Sequence, residues 1–193
     1  MNLERYLLLF LLVAFGACAS KNETSIEYYY LPHSQYKPPM QEIEAIRVEV
    51  ELSSSLATSS FVVGVDARSG KNNAVVFSAR NLWAEDLGSA IRNNLSNKLN
   101  LFGKQTGQNF TIYGHDFPRL HIVIEKFQGN IGGPAQISGY ASFFSKEKKA
   151  PLSFAFKASA PQYDEGYSAL AASLDKALDK VAQQINDALR LRR

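Results

Sequence analysis

A single thiol is the most reactive feature of this chain. Cys18 is its one cysteine, and it closes a short apolar run. Tyr6 to Phe15 is almost wholly hydrophobic, Arg5 precedes the run, and the small residues Gly16 and Ala17 lead into the cysteine. A helix that crosses a bilayer needs about 20 apolar residues. This run is too short to span, so it reads as a secretory signal peptide over residues 1–17. The residues Ala17-Cys18-Ala19 also fit an ordinary small-x-small cleavage site, which would release a soluble protein. With Cys18 lipidated, no thiol remains for a disulfide framework or a cysteine metal site.

Other reactive constellations are scarce. The three histidines are His33, His115 and His121, and no two of them have metal-ligand spacing. His115-Asp116 is the one acid–imidazole neighbour pair, and adjacent residues rarely orient one another as a catalytic triad requires. Gly-x-Ser-x-Gly, a phosphate-binding glycine loop and a dinucleotide fingerprint are all absent. Gly129-Asn130-Ile131-Gly132-Gly133 joins two strands and reads as a turn. No catalytic residues, metal or cofactor are expected. A hydrolase with a dispersed carboxylate site is the outlying alternative.

The elements that would carry such residues follow from periodicity. The composition is that of an ordinary globular protein, with 46% hydrophobic and 20% charged residues and a net charge of +3. The bias is too weak for a nucleic-acid binder, which shows a basic stripe and a domain pI above about 9. Residues 18–25 make a lipidated start and a polar tether, and 26–193 a single domain. Ile26-Glu27-Tyr28-Tyr29-Tyr30-Leu31-Pro32 favours a strand that Pro32 stops. Its rings divide between two faces, either packing or forming a sticky edge for a partner strand or a lipid. Ile46, Val48, Val50 and Leu52 alternate with charged residues, as a strand with one wet face does. Residues 61–65 and 74–77 read as a hairpin turned at 70–73.

The first helix follows Trp83, an expected anchor between helix and sheet. Its stripe is Leu87, Ala90, Ile91, Leu95, Leu99 and Phe102. Glu85 and Asp86 are expected in its first turn, and Gly103 at its end. Residues 110–113 form a short strand. Three alternating segments, around Leu120–Ile124, Ile137–Phe143 and Leu152–Ala158, form an antiparallel meander. Gly129 to Pro134 supplies its first turn. The closing helix buries Leu170, Leu174, Leu178, Val181, Ile185 and Leu189, with Asp175, Asp179, Gln183, Asn186 and Arg190 toward water. The fold class is therefore α/β (α+β): one mixed, mostly antiparallel sheet with two main amphipathic helices packed on it.

The small-small-Cys ending resembles the bacterial lipobox, with Phe15 where that motif usually has Leu; the resemblance implies that the Cys18 thiol takes a diacylglyceryl group and becomes the new amino terminus. Tyr28-Tyr29-Tyr30-Leu31-Pro32 resembles the opening of the PqiC/YmbA-like family of ABC-transport auxiliary lipoproteins. Trp83-Ala84-Glu85 is similar to that family's segment before its first helix, with Asp86 where Pro is frequent. Phe127-Gln128-Gly129 is similar to its Phe-Asp-Gly turn, with Gln128 in place of Asp. The resemblance implies a periplasm-facing lipoprotein that works with an MCE-domain protein and a membrane permease in lipid transport and membrane integrity. Tyr28, Tyr29, Tyr30, Leu31, Pro32, Trp83, Ala84 and Glu85 would be structural or partner-binding. Ala19 and Ser20 lack the Asp that retains enterobacterial lipoproteins at the inner membrane, so an outer-membrane location is implied, and homo-oligomers are compatible with it. The alternative is an envelope lipoprotein that scaffolds peptidoglycan synthesis or outer-membrane biogenesis.

Overall fold

A computed structural model describes residues 25–39, 45–57, 61–65, 75–114, 116, 118–130, 133–147 and 149–191. Cys18, the signal segment, most of the tether, the 70–73 turn, His115 and the last two arginines lie outside the described residues. Eight strands form one mixed sheet: β1 (Glu27–Tyr29), β2 (Ile46–Leu52), β3 (Phe61–Val65), β4 (Val75–Trp83), β5 (Phe110–Thr111), β6 (Arg119–Asn130), β7 (Gly133–Phe144) and β8 (Leu152–Ala160). The helices are a single turn, α1 (Ser54–Ala57), and two long ones, α2 (Leu87–Thr106) and α3 (Tyr167–Arg190). No helix among the described residues is long and apolar enough to cross a membrane.

The expected meander is present. β6, β7 and β8 pair antiparallel along nearly their whole lengths, and β3 pairs antiparallel with β4. The sheet forks at β6. Along one edge β6 pairs only with β7. Along the other, Arg119–Ile124 takes β2 in parallel and Gln128–Asn130 takes β3 in parallel. The cause lies in a few residues between the two arms. β2 ends at Ser53, whose N–H donates to Ile124 O at 2.9 Å. Its hydroxyl reaches Glu125 O, and Glu125 sits exposed at a register shift in β6. The turn α1 then leads the chain away and buries Leu56. β2 continues through β5, and β3 through β4 to β1, so β1 and β5 end the two arms.

Both long helices cover one face of the sheet and pack on each other. Leu120, Ile122 and Ile124 of β6 meet Leu174, Leu178, Val181 and Ile185 of α3 in a fully buried core, with Ile91, Leu95 and Leu99 of α2 beside them. Gly139 lies on this covered face. A Cβ there would fall 1.9 Å from Val123 O and 3.0 Å from the Phe156 ring, so only glycine lets the ring close over the ladder.

Several local expectations need correction. Asp86 is the N-cap of α2, where its Oδ1 accepts the Ser89 N–H at 2.8 Å, and Glu85 precedes the helix; neither is in the first turn. Gly103 does not end α2. Its carbonyl accepts the N–H groups of Gly107 and Gln108, and Gly107, at φ 69°, supplies the left-handed residue that stops the helix. The strand expected over 110–113 is only Phe110–Thr111. Gly129 belongs to β6 rather than to the turn after it, because β6 runs on to Asn130 beside β3. Asp175 and Asn186 are buried, not water-facing.

Candidate functional site

Three separate sequence motifs meet at the β1 arm. β1 lies parallel to β4 in the register Glu27 to Asn81, Tyr28 to Leu82 and Tyr29 to Trp83. The ladder is closed by the Ala84 N–H, which donates to Tyr29 O at 2.9 Å. Trp83 is buried, with its ring 6.1 Å from that of Phe127 on β6. Leu31 is fully buried just beyond β1. The motif around Tyr28 to Pro32, the one around Trp83 and the one at Phe127 therefore share a single junction where the chain first joins its body. Glu85 follows the ladder half-buried, with Oε1 enclosed and without a hydrogen-bond partner among the described residues.

The strand alternation gives the tyrosines different surroundings. Tyr29 faces the helical layer, 6.1 Å from Tyr167 at the start of α3. Its hydroxyl donates to the Glu27 carboxylate and lies 3.2 Å from Asn81 Oδ1. The hydrogen bond to Glu27, with smaller contributions from burial and from the Glu27 charge, pushes the Tyr29 phenol up to about 12. Tyr28 and Tyr30 face the other way and are exposed.

Past Pro32 the chain forms a strap, residues 31–39, laid across the helices. It has no regular structure, so its backbone groups need partners from elsewhere. Asparagines at three-residue spacing on α2 provide them. Asn94 Nδ2 donates to Pro32 O at 2.6 Å. Asn97 Nδ2 donates to His33 O and Gln35 O at 3.0 and 2.7 Å, and its Oδ1 accepts the Lys37 N–H at 2.8 Å. One turn further on, Asn100 holds both backbone groups of Phe110 in β5 at 2.7 and 2.8 Å. His33 takes a left-handed conformation, φ 59°, uncommon for a residue with a side chain.

Beneath the strap lies a charged cluster. The Asp175 side chain is 10% exposed and that of Lys98 is 6% exposed, with Lys98 Nζ 3.0 Å from Asp175 Oδ1. Asn94 Nδ2 donates to the same oxygen at 2.7 Å. His33 Nδ1 lies 3.1 Å from Asp175 Oδ2, and Lys98 also bonds Asp179 toward solvent. Strap, α2 and α3 are thus joined through one carboxylate. A histidine–aspartate pair here has its charge engaged by Lys98, and the cluster holds the chain in place. The sequence reading missed Asn94, Lys98 and Asp175. Their signal was present in the spacing: Ala90, Asn94 and Lys98 are each four apart within the α2 stripe, and Asp175 follows Ala171 by four within that of α3.

His121 is elsewhere, on the sheet face without helices, with Nε2 3.2 Å from Glu51 Oε2. On that face Glu49 also pairs with Arg47 and Arg119. The His121–Glu51 and Arg119–Glu49 pairs cross from β6 to β2, and the Arg47–Glu49 pair runs along β2, all on the outer face of the sheet.

From the strap onward the chain matches a known family. The family described as the ABC-type transport auxiliary lipoprotein component matches residues 33–186, and the chain belongs to that family. Among solved structures, an uncharacterised protein is 20% identical with a TM-score of 0.68, the match covering 86% of this chain and 99% of the other. A DUF330 protein from Xanthomonas campestris is 12% identical with a TM-score of 0.59, the match covering 85% of this chain and 97% of that one. These likenesses bear on the fold. No curated protein matches the sequence.

Proposed function

We propose that this protein is a non-catalytic accessory subunit of an ABC/MCE-type lipid transport system. It is anchored through a lipid on Cys18 and faces the periplasm from the outer membrane. Its job is docking: the folded body binds an MCE-domain protein and, with it, the membrane permease, while the tether sets the distance from the bilayer. Membership of the auxiliary-lipoprotein family across residues 33–186 carries this reading. A further observation supports it: the segment that follows the tether is built into the core through β1 and the strap, which suits a body held by its amino terminus.

Cys18→Ala tests the anchor. The variant should keep its fold and leave the membrane fraction; a variant that stays membrane-bound would refute the anchoring. Crosslinking in cells tests the partner. Recovery of an MCE-domain protein supports the proposal. Recovery of a peptidoglycan synthase or the barrel-assembly machine instead would make the protein a scaffold of another envelope assembly. Turnover that survives Cys18→Ala and falls on loss of one carboxylate would make it an enzyme.

A further inference from the structure

Ile26, Tyr28 and Tyr30 form an exposed apolar rim at the end of one sheet arm. Alternate positions along a strand project to one side, and the three are 54%, 62% and 70% exposed. Glu27 and Tyr29, between them, are engaged with each other through the tyrosine hydroxyl. β1 pairs only with β4 among the described residues, so the rim lies at a sheet margin. Arg80, exposed on β4, is beside it, one position from the residue that pairs with Glu27.

The chain that precedes the rim identifies its occupant. Ile26 is eight residues after Cys18. Eight residues span at most about 29 Å when extended and about 16 Å on average as a flexible coil. A lipid on Cys18 therefore holds these side chains within easy reach of the bilayer surface. Tyrosine is suited to that place: its ring is apolar, its hydroxyl is wet, and it is enriched at headgroup depth. A basic neighbour such as Arg80 suits an anionic leaflet.

We propose that Ile26, Tyr28 and Tyr30 rest in the headgroup layer of the bilayer that carries the anchor, and so set the orientation of the domain. The inference rests on lipid attachment at Cys18. The rim adds orientation to an anchor that already holds the protein. β5 ends the other arm of the fork and is left facing the periplasm with exposed Tyr113 beside it.

The test uses the full lipidated protein, in which Cys18 is consumed and an introduced thiol labels alone. Tyr28→Cys, Tyr30→Cys, Arg80→Cys and Tyr113→Cys are each labelled with an environment-sensitive fluorophore. They are then placed in vesicles of phosphatidylethanolamine and phosphatidylglycerol doped with a headgroup-proximal nitroxide lipid. Labels at 28, 30 and 80 should shift to the blue and be quenched, and the label at 113 should do neither. Relative to the Arg80→Cys protein with both rings, quenching at 80 should fall when Tyr28→Ser and Tyr30→Ser are added, which separates the tyrosines from the label itself. If the protein floats with the vesicles but labels 28, 30 and 80 stay unquenched, the rim inference is wrong and the anchor stands. If the protein does not float, the anchor reading fails and takes the inference with it. A blue shift without lipid quenching, together with crosslinks between copies through position 28, places the rim in a protein seam and overturns the bilayer as occupant.

Discussion

Replacing Lys98 by Met should destabilise the protein by about 3 kcal/mol, and the reason lies in what Asp175 keeps. At 3.0 Å, the attraction between Lys98 and Asp175 is about 5 kcal/mol with an effective dielectric constant near 20. Taking the two ions out of water costs several kcal/mol each, so the intact pair is close to break-even against an apolar pair of the same volume. Removing one partner is different: the other stays buried and uncompensated, which costs about 3–5 kcal/mol. Asp175 retains the Asn94 amide and His33, which sets the expectation at the lower end. Asp175→Leu should cost less, about 2 kcal/mol, because Lys98 still reaches Asp179 at the surface. The double variant Lys98→Met/Asp175→Leu should recover about 2 kcal/mol relative to the sum of the singles. Urea denaturation read by circular dichroism measures all three, with an unchanged m-value required for the comparison. For a domain of this size the Lys98→Met loss corresponds to a Tm lower by about 6–12 °C. Hydrogen exchange at residues 33–37 should accelerate in both singles, since the strap is fastened through the same carboxylate. A loss under about 1 kcal/mol for Lys98→Met, or strictly additive effects, would refute the claim that one buried charge pair joins the strap to the helices.

Two further predictions follow from close approaches at particular atoms. Gly139→Ala places a methyl group 1.9 Å from Val123 O; the β6/β7 ladder must move, and the variant should lose about 2–4 kcal/mol in the same denaturation assay, whereas Gly107→Asn at the α2 cap should be nearly neutral. The phenol of Tyr29 titrates near 12 in the folded protein against 10.0 ordinarily, so between these values the unfolded chain has lost a proton that the native chain retains. Stability should be unaffected by this group below pH 10 and fall as pH rises from about 10 to about 12; Glu27→Gln should bring the phenol down, read as a tyrosinate absorbance difference against Tyr29→Phe.

Local periodicity carried most of the elements. The meander β6–β8 is written as apolar alternation, and both long helices as stripes whose expected leucines are all buried. Pairing between distant strands was not legible, because nothing local in Arg47-to-Leu52 states that it lies parallel to Arg119-to-Ile124. The fork depends on Ser53, Glu125 and a single helical turn acting together across more than seventy positions. The polar cluster was misread for a different reason. Asp175 was assigned to water from its type, although its spacing places it among Ala171, Leu174 and Leu178. Residue type outweighed position, and the residue that fastens the strap was taken for a solvated one. Asn94, Asn97 and Asn100 recur every third residue of one helix, a pattern that offers side-chain amides to the backbone of a neighbouring segment.

The strap explains how a body of this kind can be held by its first residues. Any pull on the chain before Ile26 reaches the core through β1, which pairs with β4 over three residues. Three pairs at a sheet margin would fray on their own, as short edge strands do. Behind them, Leu31 is buried in the core and the strap is bonded to α2 at Pro32, His33, Gln35 and Lys37. Load is therefore spread over two long helices before it reaches the sheet. The sheet face opposite the helices lies outside this path, whereas β5 is tied to it, because the Tyr36 hydroxyl of the strap donates to Thr111 and its ring meets Tyr113 edge-on. This division requires that weakening the strap, as in Lys98→Met, loosen residues 25–39 while β6–β8 keep their structure. Hydrogen exchange resolved by segment would show faster exchange in 25–39 with β6–β8 unchanged under conditions where the variant remains folded; uniform acceleration across the sheet would mean that strap and sheet unfold as one unit and that no such division exists.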